Sequence, residues 1–180
     1  MRNQVLLAFA VLALAPFGAR ADVVDSASNG FTVKITLSVH AAPDEVYRKL
    51  VENVGEWWNP QHTFSGSARN LSIEDKAMGC FCEKLPDHGS VRHLEVVYAA
   101  PGKVLLMTGG LGPMQGLATA GTLRIQFTAA EGGTKFEATY SVAGYLPAGM
   151  NTFAAPANGM LTEQFTRFKN YVEHGSPAAK

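Results

Sequence analysis

Residues Phe31 to His40 read FTVKITLSVH, and the stretch alternates without a break. Phe31, Val33, Ile35, Leu37 and Val39 fall on one face, and Thr32, Lys34, Thr36 and Ser38 on the other. A period of two with one dry and one wet side marks a β-strand at the surface of a core. Two later stretches repeat the pattern. In Thr122–Ala129, Leu123, Ile125 and Phe127 oppose Arg124 and Gln126; in Thr134–Gly144, Phe136, Ala138, Tyr140 and Val142 oppose Lys135, Glu137 and Thr139. Glu131-Gly132-Gly133 between them is a tight hairpin signal. Further strands are expected over Asn70–Glu74, Gly79–Leu85, Val91–Ala99 and Lys103–Thr108, with turns at Pro86–Gly89 and Ala100-Pro101-Gly102.

A sheet that is dry on one side needs a cover. Near the end of the chain, from about Ala157 to Glu173, Leu161, Phe165, Phe168 and Val172 step by four, three and four, which makes one apolar helical stripe. After the first strand, Pro43 with Asp44 and Glu45 reads as a helix start, and Gly55 interrupts the helical spacing ahead of Trp57-Trp58-Asn59-Pro60, so two short helices are expected. The fold class is therefore α+β: six to seven antiparallel strands in a curved sheet around a long C-terminal helix. No repeat or linker divides residues 22–180, which are expected to form one domain.

The first 21 residues have a different character. Arg2 precedes an unbroken apolar run, Val5–Ala15, and Pro16 and Gly18 precede Ala19-Arg20-Ala21, the small-x-small pattern of a signal-peptide cleavage site. Eleven helical residues reach about 16 Å, roughly half a bilayer core, so a removed export signal is expected rather than a membrane anchor. The expected location is periplasmic or secreted in a bacterium, after cleavage behind Ala21, with no stable membrane insertion of what remains. Formal net charge is zero, with 17% charged and 47% hydrophobic residues, which argues against a nucleic-acid partner and against disorder.

Order and spacing of these elements resemble the helix-grip fold of the START/Bet v 1-like (SRPBCC) superfamily, in the branch of Hsp90-ATPase-activator homologues and polyketide cyclases. The resemblance runs from Phe31 to about Glu173. It rests on the opening strand, Ala42-Pro43-Asp44-Glu45-Val46-Tyr47, the Trp57-Trp58-Asn59-Pro60 segment, Gly79-x-Phe81-x-Glu83, the Pro101-Gly102 turn and Gly121-x-Leu123. It implies a cavity between sheet and C-terminal helix for apolar or amphipathic small molecules. Chaperone activation is not carried over, because an exported protein would be separated from a cytoplasmic chaperone.

Several side chains are candidates for such a cavity: Trp57, Trp58, His62, Phe64, Cys82, Met107, Leu111, Tyr140, Tyr145 and Phe165. The Gly-rich stretch Gly109–Leu117 follows a strand but lacks the lysine of a phosphate loop, so no nucleotide, and no other cofactor, is expected. It reads either as an apolar flap at a cavity mouth or as a hairpin loop packed on the body. Gly144–Pro156 is a second flap candidate. Cys80 and Cys82, two apart on a strand, would leave the same face about 6.6 Å apart. A bridge between them would need distortion, so two small buried thiols are expected. A Cys80, Cys82 and His93 metal site is conceivable in composition, but no metal is expected.

Glu83 and His93 flank the Pro86–Gly89 hairpin. With a five-residue loop they face each other; with a four-residue loop Glu83 meets Arg92 and Cys82 meets His93, and a slip of one exchanges the faces. The pair is either an ion pair on the outer face of the sheet or a buried group that binds a polar atom or moves a proton. Two functions follow. One is an exported binding protein for a lipophilic molecule. The alternative is a cyclase- or hydrolase-like enzyme with Glu83, His93 and His62 as acid and base groups, for which no nucleophile elbow or Ser-His-Asp spacing speaks.

Overall fold

In the computed structural model, which describes residues 20–178, the alternating stretch forms β2 (Gly30–Val39), and its five apolar side chains are all buried. Seven further strands join it: β1 (Arg20–Ala27), β3 (Leu71–Ile73), β4 (Cys80–Lys84), β5 (Ser90–Ala100), β6 (Val104–Thr108), β7 (Ala118–Ala130) and β8 (Gly133–Tyr145). The single antiparallel sheet has the order β1-β2-β8-β7-β6-β5-β4-β3. All but one of the connections inside it are between sequence neighbours. The exception is β2, which lies beside the last strand, β8, from Gly30↔Ala143 to Val39↔Thr134.

That helix, α3, spans Ala154–His174 and ends at Gly175, whose φ of 72° supplies the left-handed cap that glycine adopts freely. Its buried stripe is Ala157, Leu161, Phe165, Phe168 and Val172. Phe136 of β8 meets both Phe165 and Phe168, with ring centroids 5.1 and 5.6 Å apart. Each buried phenylalanine contributes about 1.5–3 kcal/mol over an exposed one, so this stripe is a main source of tertiary stability. Polar ties fix its far end: Lys169 donates to the Ser38 carbonyl (2.7 Å), and the His40 amide donates to Glu173 (2.9 Å). The two short helices are α1 (Pro43–Glu52) and α2 (Val54–Trp57), with the break at Asn53 rather than at Gly55.

Three expectations change. The sheet has eight strands rather than six or seven, because β1 pairs with β2 from Arg20↔Thr36 to Ala27↔Gly30 although its own residues are mostly exposed and show no apolar alternation. The Gly-rich stretch holds a short 3-10 turn, Gly112–Gly116, and β7 starts just after it at Ala118, four residues ahead of the expected strand. The space between the middle of the sheet and α3 is filled: Leu50, Trp57, Phe81, Met107, Ile125 and Phe165 leave a void of only about 20 Å³. The hydrophobic signal-like run Val5–Ala15 lies outside the described residues. Among the described residues, no helix is long and apolar enough to cross a membrane.

Candidate functional site

The β4–β5 hairpin takes neither of the two registers open to the sequence. Lys84 pairs with Ser90 and Glu83 with Val91, but the register shifts between Cys82↔Arg92 and Phe81↔Leu94, which leaves His93 as an extra residue in β5. A β-bulge of this kind lets two consecutive side chains turn to one side. His93 and Leu94 are both buried in consequence, while Arg92 stays exposed. Glu83 shares the inner face with Phe81, so the two-residue period of β4 and the bulge of β5 aim the carboxylate and the imidazole at each other. Nε2 of His93 lies 2.9 Å from Oε2 of Glu83, with side-chain exposures of 5% and 0%. The pair is thus on the inner face, not the outer one.

A buried carboxylate is costly unless its oxygens are satisfied. Here the Ser65 amide donates to Oε1 (2.5 Å), and the Phe64 amide (3.1 Å) and His93 Nε2–H donate to Oε2. Those amides come from the segment after the Pro60–His62 turn, whose start is capped by the Asn59 side chain accepting from the Gln61 amide. Burial by itself would raise the Glu83 pKa, but these donors outweigh it and hold the carboxyl below its ordinary range. Burial lowers the His93 pKa below its usual 6.5, against the pull of Glu83. The neutral ring then donates from Nε2, and Nδ1 accepts from the Gln115 amide at 3.3 Å. Phe81 and Phe64 lie against the same ring, at centroid distances of 4.9 and 5.9 Å.

His93 also forms part of the wall of a cavity of about 760 Å³, within the usual range of small-molecule sites. The cavity opens where the grip widens, at the start of α3. Trp58, His62 and Phe64 form one wall, Leu111, Pro113 and Met114 of the Gly-rich stretch another, and Phe153, Ala157 and Met160 a third. The Gly-rich stretch therefore is a cavity wall. Tyr140 pins its base: the hydroxyl donates to the Gly109 carbonyl (3.0 Å) and accepts from the Leu111 amide (2.9 Å). Burial raises the Tyr140 pKa to about 12. A Cβ on Gly121 would stand 2.4 Å from the Gly109 carbonyl oxygen and 2.9 Å from the Tyr140 hydroxyl, so this junction requires glycine. His62 pairs with Glu163 of α3 (3.1 Å), whose other oxygen accepts from the Asn59 side chain.

Of the sequence candidates, Trp58, His62, Phe64, Leu111 and His93 meet at this cavity, with Glu83 directly behind His93. Trp57, Met107 and Phe165 are core residues around the small void instead. Tyr140 lies beneath the cavity with its hydroxyl fully engaged, and Tyr145 is 73% exposed on the end of β8. Cys82 is no wall residue, because it alternates with Phe81 and Glu83 and faces the other side of β4. It is bonded to Cys80, which corrects the expectation of two free buried thiols. Opposite the bulge of β5, β4 is contracted, and the two Cα atoms stand 5.4 Å apart, close to the commonest separation in disulfides. Among the described residues no cluster of three metal-ligating side chains occurs.

Met114, Phe153 and Met160 complete the cavity wall, and Gln115 holds His93 from outside it. Phe153 and Met160 flank Ala157 of the main stripe at spacings of four and three and widen its apolar face at this end, which was legible in principle. Nothing in the sequence singles out Gln115.

Architecture and site together define an α+β helix-grip protein with an apolar cavity at the mouth of the grip and one buried Glu–His pair in its wall. No protein-family model and no curated protein matches the chain. Solved structures do. A conserved protein of unknown function from Enterococcus faecalis aligns over 89% of this chain and 80% of its own, with a TM-score of 0.59 and 15% identity. DynU16, from the dynemicin biosynthetic locus, aligns over 81% of this chain and 48% of its own, with a TM-score of 0.56 and 20% identity. The Aha1 dimer from Colwellia psychrerythraea aligns over 80% and 97%, with a TM-score of 0.53 and 15% identity. At these identities the likeness is one of fold alone.

The pair has a consequence for stability. Unfolded His93 takes up a proton near pH 6.5, whereas folded His93 does so only at lower pH, so the unfolded state binds more protons in that window and stability falls on acidification. Below about 4.5 the depressed carboxyl of Glu83 adds a second decline of the same sign. The urea midpoint of the protein is expected to drop between pH 7.5 and 5.5, with a shallower slope in His93→Gln. Equal slopes in the two proteins would contradict this assignment.

Proposed function

We propose that this chain is an exported binding protein that holds a lipophilic or amphipathic small molecule in the cavity at the start of α3. The observation that carries the reading is a volume of about 760 Å³ walled by Trp58, Phe64, Leu111, Met114, Phe153 and Met160 in a fold whose deeper interior is packed solid. Apolar walls supply affinity by taking ligand surface out of water, and the few polar groups on the rim fix orientation. Phe64, 58% exposed, stands ready to be covered by a ligand. Nile red, an uncharged probe, is expected to bind with saturable emission, and Met160→Glu, which puts a charge on the wall, to weaken it at least tenfold while the protein stays folded. Failure of Nile red and a panel of neutral lipophiles to bind would overturn the reading.

A second reading is favoured by one specific observation. A histidine held by a buried carboxylate at 2.9 Å is the arrangement that orients a general base, and this one adjoins the cavity. A cyclase- or hydrolase-like reaction would use His93 as the base, Glu83 to hold its tautomer, and His62 as a further acid or base. The placement of the chain in the activator-homologue and polyketide-cyclase branch of the superfamily belongs to the same proposal.

Export is supported by Val5–Ala15 with Ala19-Arg20-Ala21, and by an oxidised Cys80–Cys82 pair, which suits an oxidising compartment. Processing after Ala21 would leave Asp22–Ala27 paired on β2. N-terminal sequencing of protein recovered from the periplasm or medium of the producing bacterium is expected to start at Asp22; an intact Met1 there would refute it.

A further inference from the structure

The charges behind the cavity wall restrict what it can hold. Among the described residues, its lining contains two histidines and no lysine, arginine, aspartate or glutamate. Each histidine is backed by a carboxylate, His93 by Glu83 at 2.9 Å and His62 by Glu163 at 3.1 Å. Of the basic side chains nearby, Arg92 pairs with Glu95, while Arg167 donates to the Trp57 carbonyl and acts on the Glu163 carboxylate from outside the lining. From these observations we propose that the cavity selects uncharged amphiphiles with a donating head group, an alcohol or a phenol, and rejects carboxylates such as fatty acids. The inference rests on the binding reading above and deepens it.

Two independent physical reasons lead there. A carboxylate that enters an apolar cavity gives up its hydration and needs a cation or several donors in return. The walls offer no cation, and the nearest fixed charge behind His93 is another anion in a low-dielectric setting, where repulsion is felt more strongly than in water. Hydrogen-bond direction gives the second reason. Glu83 takes the proton of Nε2, so Nδ1 of His93 is an acceptor, satisfied by the Gln115 amide. Any ligand group that replaces Gln115 there must donate, which a hydroxyl can do and an ionised carboxylate cannot. Gln115 is not itself a wall residue but follows Met114 of the wall on the Gly112–Gly116 turn, so a ligand reaches Nδ1 only where that turn shifts and carries the Gln115 amide away.

Matched pairs test this by displacement of bound Nile red at pH 8: decan-1-ol against decanoate, and 2-naphthol against 2-naphthoate. Each alcohol or phenol is expected to bind at least tenfold more tightly than its acid, and Glu83→Gln to narrow the gap at least threefold by improving the acid. Glu163→Gln, at a more exposed position, gives the same comparison where Glu83→Gln does not fold, and is expected to shift in the same direction. Acids that bind as well as or better than the alcohols would overturn the selectivity and leave the binding reading standing. A preference for alcohols unchanged in the charge variants would overturn its electrostatic cause. Displacement by neither class, with Nile red itself unbound, would remove the binding reading and the selectivity with it.

Discussion

A carboxylate and an imidazole with almost no access to water, 2.9 Å apart on the inner face of the sheet, set the requirements that the surrounding structure meets. Glu83 can remain ionised there only because two backbone amides and a ring N–H point at it. Those amides belong to Phe64 and Ser65, so the carboxylate also fixes the path of the segment that carries Trp58, His62 and Phe64 to the cavity. His93 reaches the inner face only through the bulge in β5. The bulge faces the part of β4 where Cys80 and Cys82 are joined, and Phe81 between them lies against the His93 ring. A disulfide spanning so few residues adds little by restricting the unfolded chain, on the order of 1–2 kcal/mol. What it constrains is local: the curvature of β4 opposite the bulge.

The position of the cavity follows from the same packing. Aromatic and aliphatic side chains of β2, β7 and β8 interlock with Leu161, Phe165 and Phe168 of α3 and close the middle of the grip. Toward the start of α3 the covering residues become small, Ala154 and Ala157, and the sheet gives way to the Gly-rich stretch. Space remains at that end because there is too little side-chain volume to fill it. The polar pair lies on its border, between an apolar cavity and the engaged Gln115 amide.

Periodicity made most of this architecture legible. Alternation in β2, β7 and β8 and the four-three-four stripe of α3 are direct consequences of which faces meet the core, and they survive in the sequence. Strand β1 left no such trace, since a mostly exposed edge strand has no buried set to alternate. The β4–β5 pairing was beyond reach for a different reason: a bulge changes the register within the strand, and no single loop length describes both halves of the hairpin. The same contraction explains why spacing on an ideal strand argued against the Cys80–Cys82 bond. The cavity expected between sheet and helix is displaced for a packing reason: large rings fill the deep interior efficiently, and the space that remains lies at its mouth.

Imidazole nitrogen NMR of His93 across pH 8 to 5 addresses the central pair most directly, since the two ring nitrogens report protonation and tautomer separately. The result expected is a neutral ring at pH 7 with its proton on Nε2 and Nδ1 as acceptor, holding that state as the pH falls past 6.5, the usual histidine value. An imidazolium at pH 7, or two nitrogens averaged by exchange with water, would contradict a buried, neutral His93 held by Glu83 at the cavity wall.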